Sequence, residues 1–575
     1  MKITELKIHG IKSYVDETVK INEYTVFVGE NNSGKSNILK CLLWFFGKTK
    51  ISEKDLNCHV TDDPFVEVEF SLSDNEEFTH PKEYLVNGKF RVRASAERKK
   101  ILDKPTASEH RGYIGEEENS IKDTKLLGYS SVAKFSLGEV IYIPSVKALN
   151  EELKFTAKTA LSQLVTKYVI SRIKEEDEKG NHYNQIVDAI RSLSEYISNG
   201  ENSALQQLKK DISRYMLDYD NISLGFELEP PDADNLIKSC FKHHTDVDGL
   251  TSKLPLDSQG DGFQRSMIFS LIANLAELSR KSEKKKTAKN ECTFYLIEEP
   301  EIFLHPNHQS FFRNKLEELA ASNDSQAIIT SHSPYFLNHV NRYSQIKRIY
   351  LDGNKSKIGE VSDDKVDIIC QSNGLLVAKA KNDCRNENEK WDENELKQRA
   401  SEIAKEDHLR YLLWIDPTRA NAFLSKKVVL VEGPTEKAFF SYIFNDPSGD
   451  FYAEKRTSFV TVIDVVGKFH IYKFAQLLKE FNIKVWCIYD GDGDQRKEGI
   501  SHAILNQAIE ELKTNGVIID TLRLDPSLEQ LIGLSKDKHK PDVGLYLNLE
   551  KDNNKCKQSE GYSRLIEFTR NIIDA

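Results

Sequence analysis

No stretch of the chain approaches the ~20 consecutive apolar residues needed to cross a bilayer, so no membrane partner is expected. The longest early apolar run, Cys41-Leu42-Leu43-Trp44-Phe45-Phe46, reads as a buried helix segment. The 8 cysteines are scattered and form no Cys-x-x-Cys pair, which argues against both a disulfide framework and a zinc site. No secretory leader is expected either, because the sequence opens directly on an alternating, strand-like stretch. Together these absences lead to the expectation of a reducing cytoplasm. Positive charge is also short: 80 Lys and Arg stand against 90 Asp and Glu, for a net charge of −10. That total does not exclude nucleic acid, since backbone contacts depend on local basic patches, and some of the acid can be metal ligand.

At 575 residues, 39% hydrophobic and 30% charged, the chain is too long for one core. Val66, Val68 and Phe70 alternate with Glu67 and Glu69, the period of a half-buried strand; Ile222, Leu224, Phe226 and Leu228 repeat the pattern. Between them, Ile186, Ile190, Leu193 and Ile197, then Leu205, Leu208 and Ile212, recur at helical spacing. The reading is an α/β domain over 1–380, split by a helical insertion at about 150–220. That insertion is either a dimer contact or lever arm, or an ordinary packed subdomain. Strand signals resume at Tyr295–Ile297, Ala327–Thr330 and Ile346–Leu351. A polar segment crowded with Glu, Lys, Asn and Asp follows, so 381–423 reads as linker or solvated helix. A second α/β pattern occupies 424–575. Internal repeats and low-complexity tracts are absent.

Gly29-Glu30-Asn31-Asn32-Ser33-Gly34-Lys35-Ser36 matches G-x-x-x-x-G-K-[ST], with an apolar strand before it and a helical pattern after. Glycines let backbone N–H groups curl round phosphates, and the helix N-terminus adds partial positive charge. Lys35 would pair with β/γ-phosphate oxygens of ATP and Ser36 would hold Mg²⁺. A second element, Phe294-Tyr295-Leu296-Ile297-Glu298-Glu299, is an apolar strand ending in two carboxylates. Glu298 would support the metal shell and Glu299 would orient or deprotonate the attacking water. Leu304-His305-Pro306 follows, and a further strand ends at His332, placed to sense the γ-phosphate.

Near the C-terminal end, the Lys427–Val431 strand runs into Glu432, with Glu436 one helical turn on. Another apolar strand, Val485–Tyr489, ends in Asp490-Gly491-Asp492-Gly493-Asp494. Parallel strand ends converge at one sheet edge, and clustered carboxylates suit Mg²⁺ or Mn²⁺. The acidic run alone could be a turn or a calcium loop, but it lacks the glutamate spacing of an EF-hand.

The ordered nucleotide motifs resemble the ABC-type ATPases of the SMC and RecF kind, which close two heads around ATP with a signature loop from the partner head. Asp257–Arg265 falls where that loop lies, with Ser258 and Gly260 the best matches to a departing Ser-Gly-Gly pattern. The C-terminal pair of acidic strand ends resembles a Rossmann-like Toprim domain, whose chemistry suits two metals. Trp414-Ile415-Asp416-Pro417-Thr418-Arg419, running into the Glu432 strand, is similar to the Toprim entry of the overcoming-lysogenisation-defect (OLD) family nucleases. Ile463–Lys468 resembles the second Toprim strand and its glycine turn, with Asp464 as a further metal ligand. Leu528-Glu529 and Lys540-Pro541 resemble a late acidic position and a phosphate-neutralising lysine.

The resemblance implies an ATP-regulated, divalent-metal-dependent DNA endonuclease. Glu432, Asp490, Asp492 and Lys540 are its candidate catalytic residues in the nuclease site. It implies self-association as a homodimer or larger assembly and bacterial anti-phage defence. A helicase-like partner, or a retron partner with reverse transcriptase and non-coding nucleic acid, accompanies some relatives. The rival is a non-nucleolytic SMC/RecF-like clamp with a structural Toprim domain, against which the intact carboxylates at 432, 436, 490 and 492 speak. A topoisomerase would need a breaking-tyrosine domain and a primase further template-handling regions. Two basic stretches remain: Arg280-Lys281 with Lys284-Lys285-Lys286, read as a solvated loop, and Lys89, Arg91 and Arg93 on one strand face. The latter is either a DNA contact or an exposed face.

Overall fold

The structure is a computed structural model and describes residues 1–72, 82–126, 137–144, 182–199 and 292–575, the last range with short breaks that cluster in 534–555; between 200 and 291 it describes only isolated residues. Ser258, Lys540, the 222–228 alternation, the 205–212 pattern and the 280–286 basic run therefore lie outside the described residues.

The first layer is an antiparallel sheet of β1 (Lys2–Ile11), β2 (Tyr14–Lys20), β4 (Phe65–Ser71), β5 (Leu85–Val86), β6 (Lys89–Ser95) and β7 (Glu109–Gly112). Its Val66, Val68 and Phe70 are wholly buried, as their alternation requires. The second sheet has the order β12-β11-β3-β10-β9-β8. It comprises β3 (Tyr24–Gly29), β8 (Glu139–Ile143), β9 (Thr293–Glu298), β10 (Ser325–Thr330), β11 (Ile346–Asp352) and β12 (Lys355–Gly359). All of its pairs are parallel except β11 with β12. Its central strands are apolar on both faces, as a sheet covered on both sides demands. Along β9, Phe294 and Leu296 enter a core shared with the first sheet and α1 (Lys35–Phe45), while Tyr295 and Ile297 enter another on the opposite face.

That opposite core does not stop at the ATPase-type sheet. It continues into a third, parallel sheet of order β14-β13-β15-β16, made of β13 (Lys427–Val431), β14 (Val460–Asp464), β15 (Lys484–Asp490) and β16 (Asp520–Leu524). Val428, Leu430, Val485 and Cys487 belong to the same buried cluster as Tyr295 and Ile297. Val429, Val431, Trp486 and Ile488 face a separate core on the far side, completed by α6 (Pro434–Asn445) and α9 (Glu560–Asp574). A shared apolar core joins the two α/β sheets, so this joint resists hinge motion.

The helical reading of 186–197 falls on α2 (His182–Asn199). The stretch read as linker or solvated helix carries α5 (Glu393–Trp414), which packs on α4 (Asp363–Asp383). Gly374 makes this close, since a Cβ there would meet the Ala400 carbonyl oxygen at 2.4 Å. Among the described residues, no helix is long and apolar enough to cross a membrane.

Candidate functional site

Three parallel strand ends build the nucleotide-type site. Register aligns Phe27 of β3 with Thr330 of β10, and Thr330 with Glu298 of β9. The chain following each strand is thereby delivered to one edge. After β3 the loop turns through Asn32 (φ 64°) and Gly34 (φ 110°) into α1. Asparagine and glycine are the residues that tolerate those angles. At Gly29 a Cβ would meet the Ile349 carbonyl oxygen at 2.0 Å, which excludes any side chain. Lys35 Nζ donates to the carbonyl oxygens of Gly29 (3.1 Å) and Glu30 (2.5 Å). Burial lowers its ammonium to about 8 against the opposing pull of Glu299, Glu301 and Glu30. Ser33 Oγ is buried with no hydrogen-bond partner, while Asn31 and Asn32 are exposed and Ser36 is half-buried beside them. A buried lysine, an unpartnered hydroxyl and a helix N-terminus fit a polyphosphate.

Glu298 is buried at the end of β9, and Glu299 takes the left-handed conformation (φ 43°) as the chain leaves the sheet. Its carboxylate lies 3.5 Å from His332 Nε2. Glu301, which the sequence reading did not single out, accepts from Ser331 Oγ (3.0 Å) and the His332 backbone N–H (2.5 Å). It therefore fixes the histidine segment. Burial pushes the Glu301 carboxyl up against those hydrogen bonds. Gly260, the described member of the signature-loop pair, is exposed.

The second site stands at the carboxyl edge of the third sheet. Val431 is in register with Asp464 on one side and Ile488 on the other, so Glu432, Asp464 and Asp490 share that edge. Glu436 is the third residue of α6, and its carboxylate accepts from the Gly433 N–H at 3.0 Å. Glu432 accepts from the Asp490 N–H at 3.3 Å. Asp490 Oδ1 is buried with no hydrogen-bond partner. Burial, then the negative charges of Glu436, Glu432, Asp492 and Glu529, push the Asp490 carboxyl up to about 8. Burial likewise pushes Glu436 to about 7, with Glu432 and Glu529 adding to it. Glu529, buried on the short helix Leu528–Leu531, is a member of the same field.

An unsatisfied buried carboxylate among like charges is an arrangement that favours a cation. The oxygen donor set fits a hard divalent ion. Among the described residues no three such groups already stand at coordinating distances, so the carboxylates would close on the ion. The Asp-Gly-Asp-Gly-Asp spacing has a backbone cause: Asp492, Gly493 and Asp494 all have positive φ (51°, 61° and 55°). Asp and Gly adopt that conformation at least cost.

Three placements bear on the sequence reading. Asp464, expected as a metal ligand, is engaged by Arg419 (2.7 Å) and Lys437 (3.2 Å), which hold its carboxyl below the ordinary range despite burial. Lys89 pairs with Glu69, and Arg91 and Arg93 pair with Glu67 on β4. Arg91 and Arg93 also stack over Tyr113 and Phe65, with Cζ 3.8 and 4.0 Å from the ring centroids. Two carboxylates thus answer three cations, so most of the positive charge on that face is paired within the sheet. Lys468, read only as part of a glycine turn, lies inside the acidic site, 2.7 Å from Asp492. His502 Nδ1 is 3.0 Å from the same carboxylate oxygen.

Fold and sites define a P-loop ATPase domain joined to a Toprim domain. Residues 1–337 match the AAA ATPase domain family, and residues 423–492 match the overcoming lysogenization defect protein-like TOPRIM domain. The chain belongs to the AAA ATPase domain family and carries, after that domain, a segment that matches the OLD-like TOPRIM domain. It is 23% identical over 513 residues to the Old nuclease of Escherichia phage P2, covering 86% of this chain and 77% of that protein. Endonuclease GajA of Bacillus cereus is 23% identical over 432 residues, covering 69% of this chain and 54% of GajA. The OLD nuclease of Thermus scotoductus is 22% identical over 360 residues, covering 61% of this chain and 57% of that protein. The chain thus spans little more than half the length of the latter two relatives.

Proposed function

We propose that the protein is an ATP-regulated, divalent-metal-dependent DNA endonuclease. The observation that carries the reading is the mutually repelling carboxylate set of Glu432, Glu436, Asp490 and Glu529 at a Toprim sheet edge, in which Glu436 and Glu529 are buried and Glu432 and Asp490 half-buried. Mg²⁺ or Mn²⁺ bound there supplies a Lewis acid for phosphodiester hydrolysis. Glu432 and Asp490 are the ligands from the two adjacent strand ends, and Glu436 reaches the same point from α6. The names of the relatives, Old nuclease and endonuclease GajA, support the same activity. On the family resemblance we place the protein in bacterial anti-phage defence, self-associating, and working with a helicase-like or retron partner. Lys540 as a phosphate-neutralising residue and Ser258 with Gly260 as the partner-facing signature loop complete the proposal.

Contacts across the joint between the domains support the reading of regulation by ATP. Glu30 of the P-loop pairs with Lys426 (2.8 Å), one residue before the strand that delivers Glu432. Buried Arg348, on the strand beside the P-loop strand, donates to the carbonyl oxygens of Phe481, Asn482 and Ser425. A phosphate that rearranges the P-loop acts directly on these contacts. In this reading Glu298 and Ser36 hold the nucleotide's metal, Glu299 positions water and His332 reads the γ-phosphate.

The test is plasmid DNA incubated with purified protein and Mn²⁺ or Mg²⁺. Cutting is expected with either metal and none with EDTA or in Glu432→Ala. Cutting that survives EDTA would refute the metal-dependent reading.

A further inference from the structure

Hydroxyls from three separate pieces of chain line the outer wall of the P-loop. Ser13 comes from the turn between β1 and β2, Tyr14 opens β2, and Ser356 lies on β12. Tyr14 and Ser356 are wholly buried. Ser356 Oγ stands 2.5 Å from the Ser33 carbonyl oxygen and 2.6 Å from Ser13 Oγ. Tyr14 donates its hydroxyl to the Gly34 carbonyl oxygen at 3.0 Å. The Ser356 N–H donates to the Ser13 carbonyl oxygen at 2.9 Å, which ties β12 to the turn between β1 and β2. Gly34 has no room for a side chain against this wall: a Cβ would meet Ser356 Oγ at 2.5 Å and Ser13 Oγ at 2.9 Å.

The ends of the hydroxyl chain fix its direction. A carbonyl oxygen only accepts, so the single Ser356 hydroxyl proton goes to Ser33. Ser13 then donates to Ser356, and Asn37 Nδ2 donates to Ser13 Oγ at 3.3 Å. The donors thus run from α1 back to the loop that precedes it. A planar trans peptide points its carbonyl and its N–H in opposite directions. Holding the Ser33 carbonyl against the wall therefore aims the Gly34 N–H away from it. The Tyr14 bond to the Gly34 carbonyl does the same for the Lys35 N–H.

We infer that Ser356 and Tyr14 are positioning residues for the nucleotide: they hold the Ser33 and Gly34 peptides so that the Gly34 and Lys35 N–H groups face the polyphosphate. The inference rests on the nucleotide reading of the P-loop and adds two residues from outside the motif, one of them 323 positions from the serine it holds. Backbone N–H groups of such a loop bind phosphate oxygens. Donors that are already aligned spare the ligand the cost of ordering them.

The test measures binding of a fluorescent ATP analogue to the full chain with Mg²⁺, and its displacement by ATP and by inorganic tripolyphosphate. Ser356→Val and Ser356→Thr add the same bulk and differ in the hydroxyl. Ser356→Val should weaken ATP and tripolyphosphate by about tenfold, the upper range for one hydrogen bond, and Ser356→Thr should stay within about threefold of wild type. Tyr14→Phe should weaken both ligands by about fivefold. A hydroxyl that served folding alone would lower the Tm of ligand-free Ser356→Val and leave both affinities unchanged. That result, or equal affinities in Ser356→Val and Ser356→Thr, would overturn the inference, while loss of binding in Lys35→Ala would leave the nucleotide reading standing. Wild-type affinity in Lys35→Ala would overturn both. If melting shows that the Ser356 variants do not fold, Tyr14→Phe decides: wild-type affinity there overturns the inference.

Discussion

The two sites are built from the same parts and tuned to opposite charges. Each places carboxylates at parallel strand ends, with one lysine and one histidine beside them. In the nucleotide-type site Lys35 donates to backbone carbonyls rather than to an acid, so its charge stays available to an anion. In the Toprim site Lys468 is committed to acids, 2.7 Å from Asp492 and 4.0 Å from Glu432, while Asp490 Oδ1 is buried with no hydrogen-bond partner. One site therefore waits for phosphate and the other for a metal ion. Charge balance, more than residue type, separates them.

The largest effects should come from removing the group each site exposes to its ligand. Asp490→Ala should reduce plasmid cutting by more than the roughly 10–100-fold typical of outer-shell metal partners, with ATP affinity unchanged. Lys35→Ala should abolish ATP binding in a filter or fluorescence assay and leave Mn²⁺ binding without nucleotide intact. If either substitution disabled both sites, the separation drawn above would fail.

Next in size is the joint. Arg348→Met strips three backbone carbonyls of their donor, at a cost of about 1–3 kcal/mol for each buried group left unsatisfied. A lowered Tm in scanning calorimetry, together with an ATP-insensitive cutting rate, is the expected outcome. An unchanged Tm would show that the guanidinium is dispensable.

Proton effects should be smaller and opposite in the two sites. Lys35, lowered to about 8, loses its charge in the free protein as pH rises through that value. ATP affinity should then fall by up to about tenfold per pH unit above it. Asp490 and Glu436 have folded values near 8 and 7, above their ordinary 3.8 and 4.5. Their stabilising contribution is complete below about pH 4 and is lost as pH rises to about 8. Metal-free protein should lose Tm across that window, and Asp490→Asn, neutral throughout, should melt a few degrees higher at pH 8.5. A variant that melts lower there would contradict the charge argument. Smallest of all is Lys426→Ala, since a half-exposed pair with Glu30 is worth no more than about 1 kcal/mol. Its Tm should barely move, and its signature is a weakened response of cutting to ATP.

Much of both sites was legible in the sequence because their chemistry is local. The P-loop is eight contiguous residues, and strand-end acids announce themselves by an apolar run that stops at Glu298, Glu432 or Asp490. What escaped was the pairing across elements. Lys468 reaches Asp492, and His502 joins them, only because a turn, a loop and a helix start meet in space. Asp464 stands at a strand end like the others, yet its partners Arg419 and Lys437 come from elsewhere in the chain. The Lys89, Arg91 and Arg93 stripe was visible, and the alternating Glu67 and Glu69 of a neighbouring strand were the signal that could have predicted its neutralisation. The segment after Lys381 read as either linker or solvated helix because its charged residues outnumber apolar ones; small buried residues, Ala400 and Ala404 against Gly374, suffice to pack it as a helix.

The measurement that bears most directly on the account is plasmid cutting with Mn²⁺, with and without ATP, by wild type, Lys35→Ala and Asp490→Ala. The account predicts a rate that ATP changes in wild type, an ATP-insensitive rate in Lys35→Ala, and no cutting in Asp490→Ala despite normal ATP binding. Cutting by Asp490→Ala at the wild-type rate would contradict it.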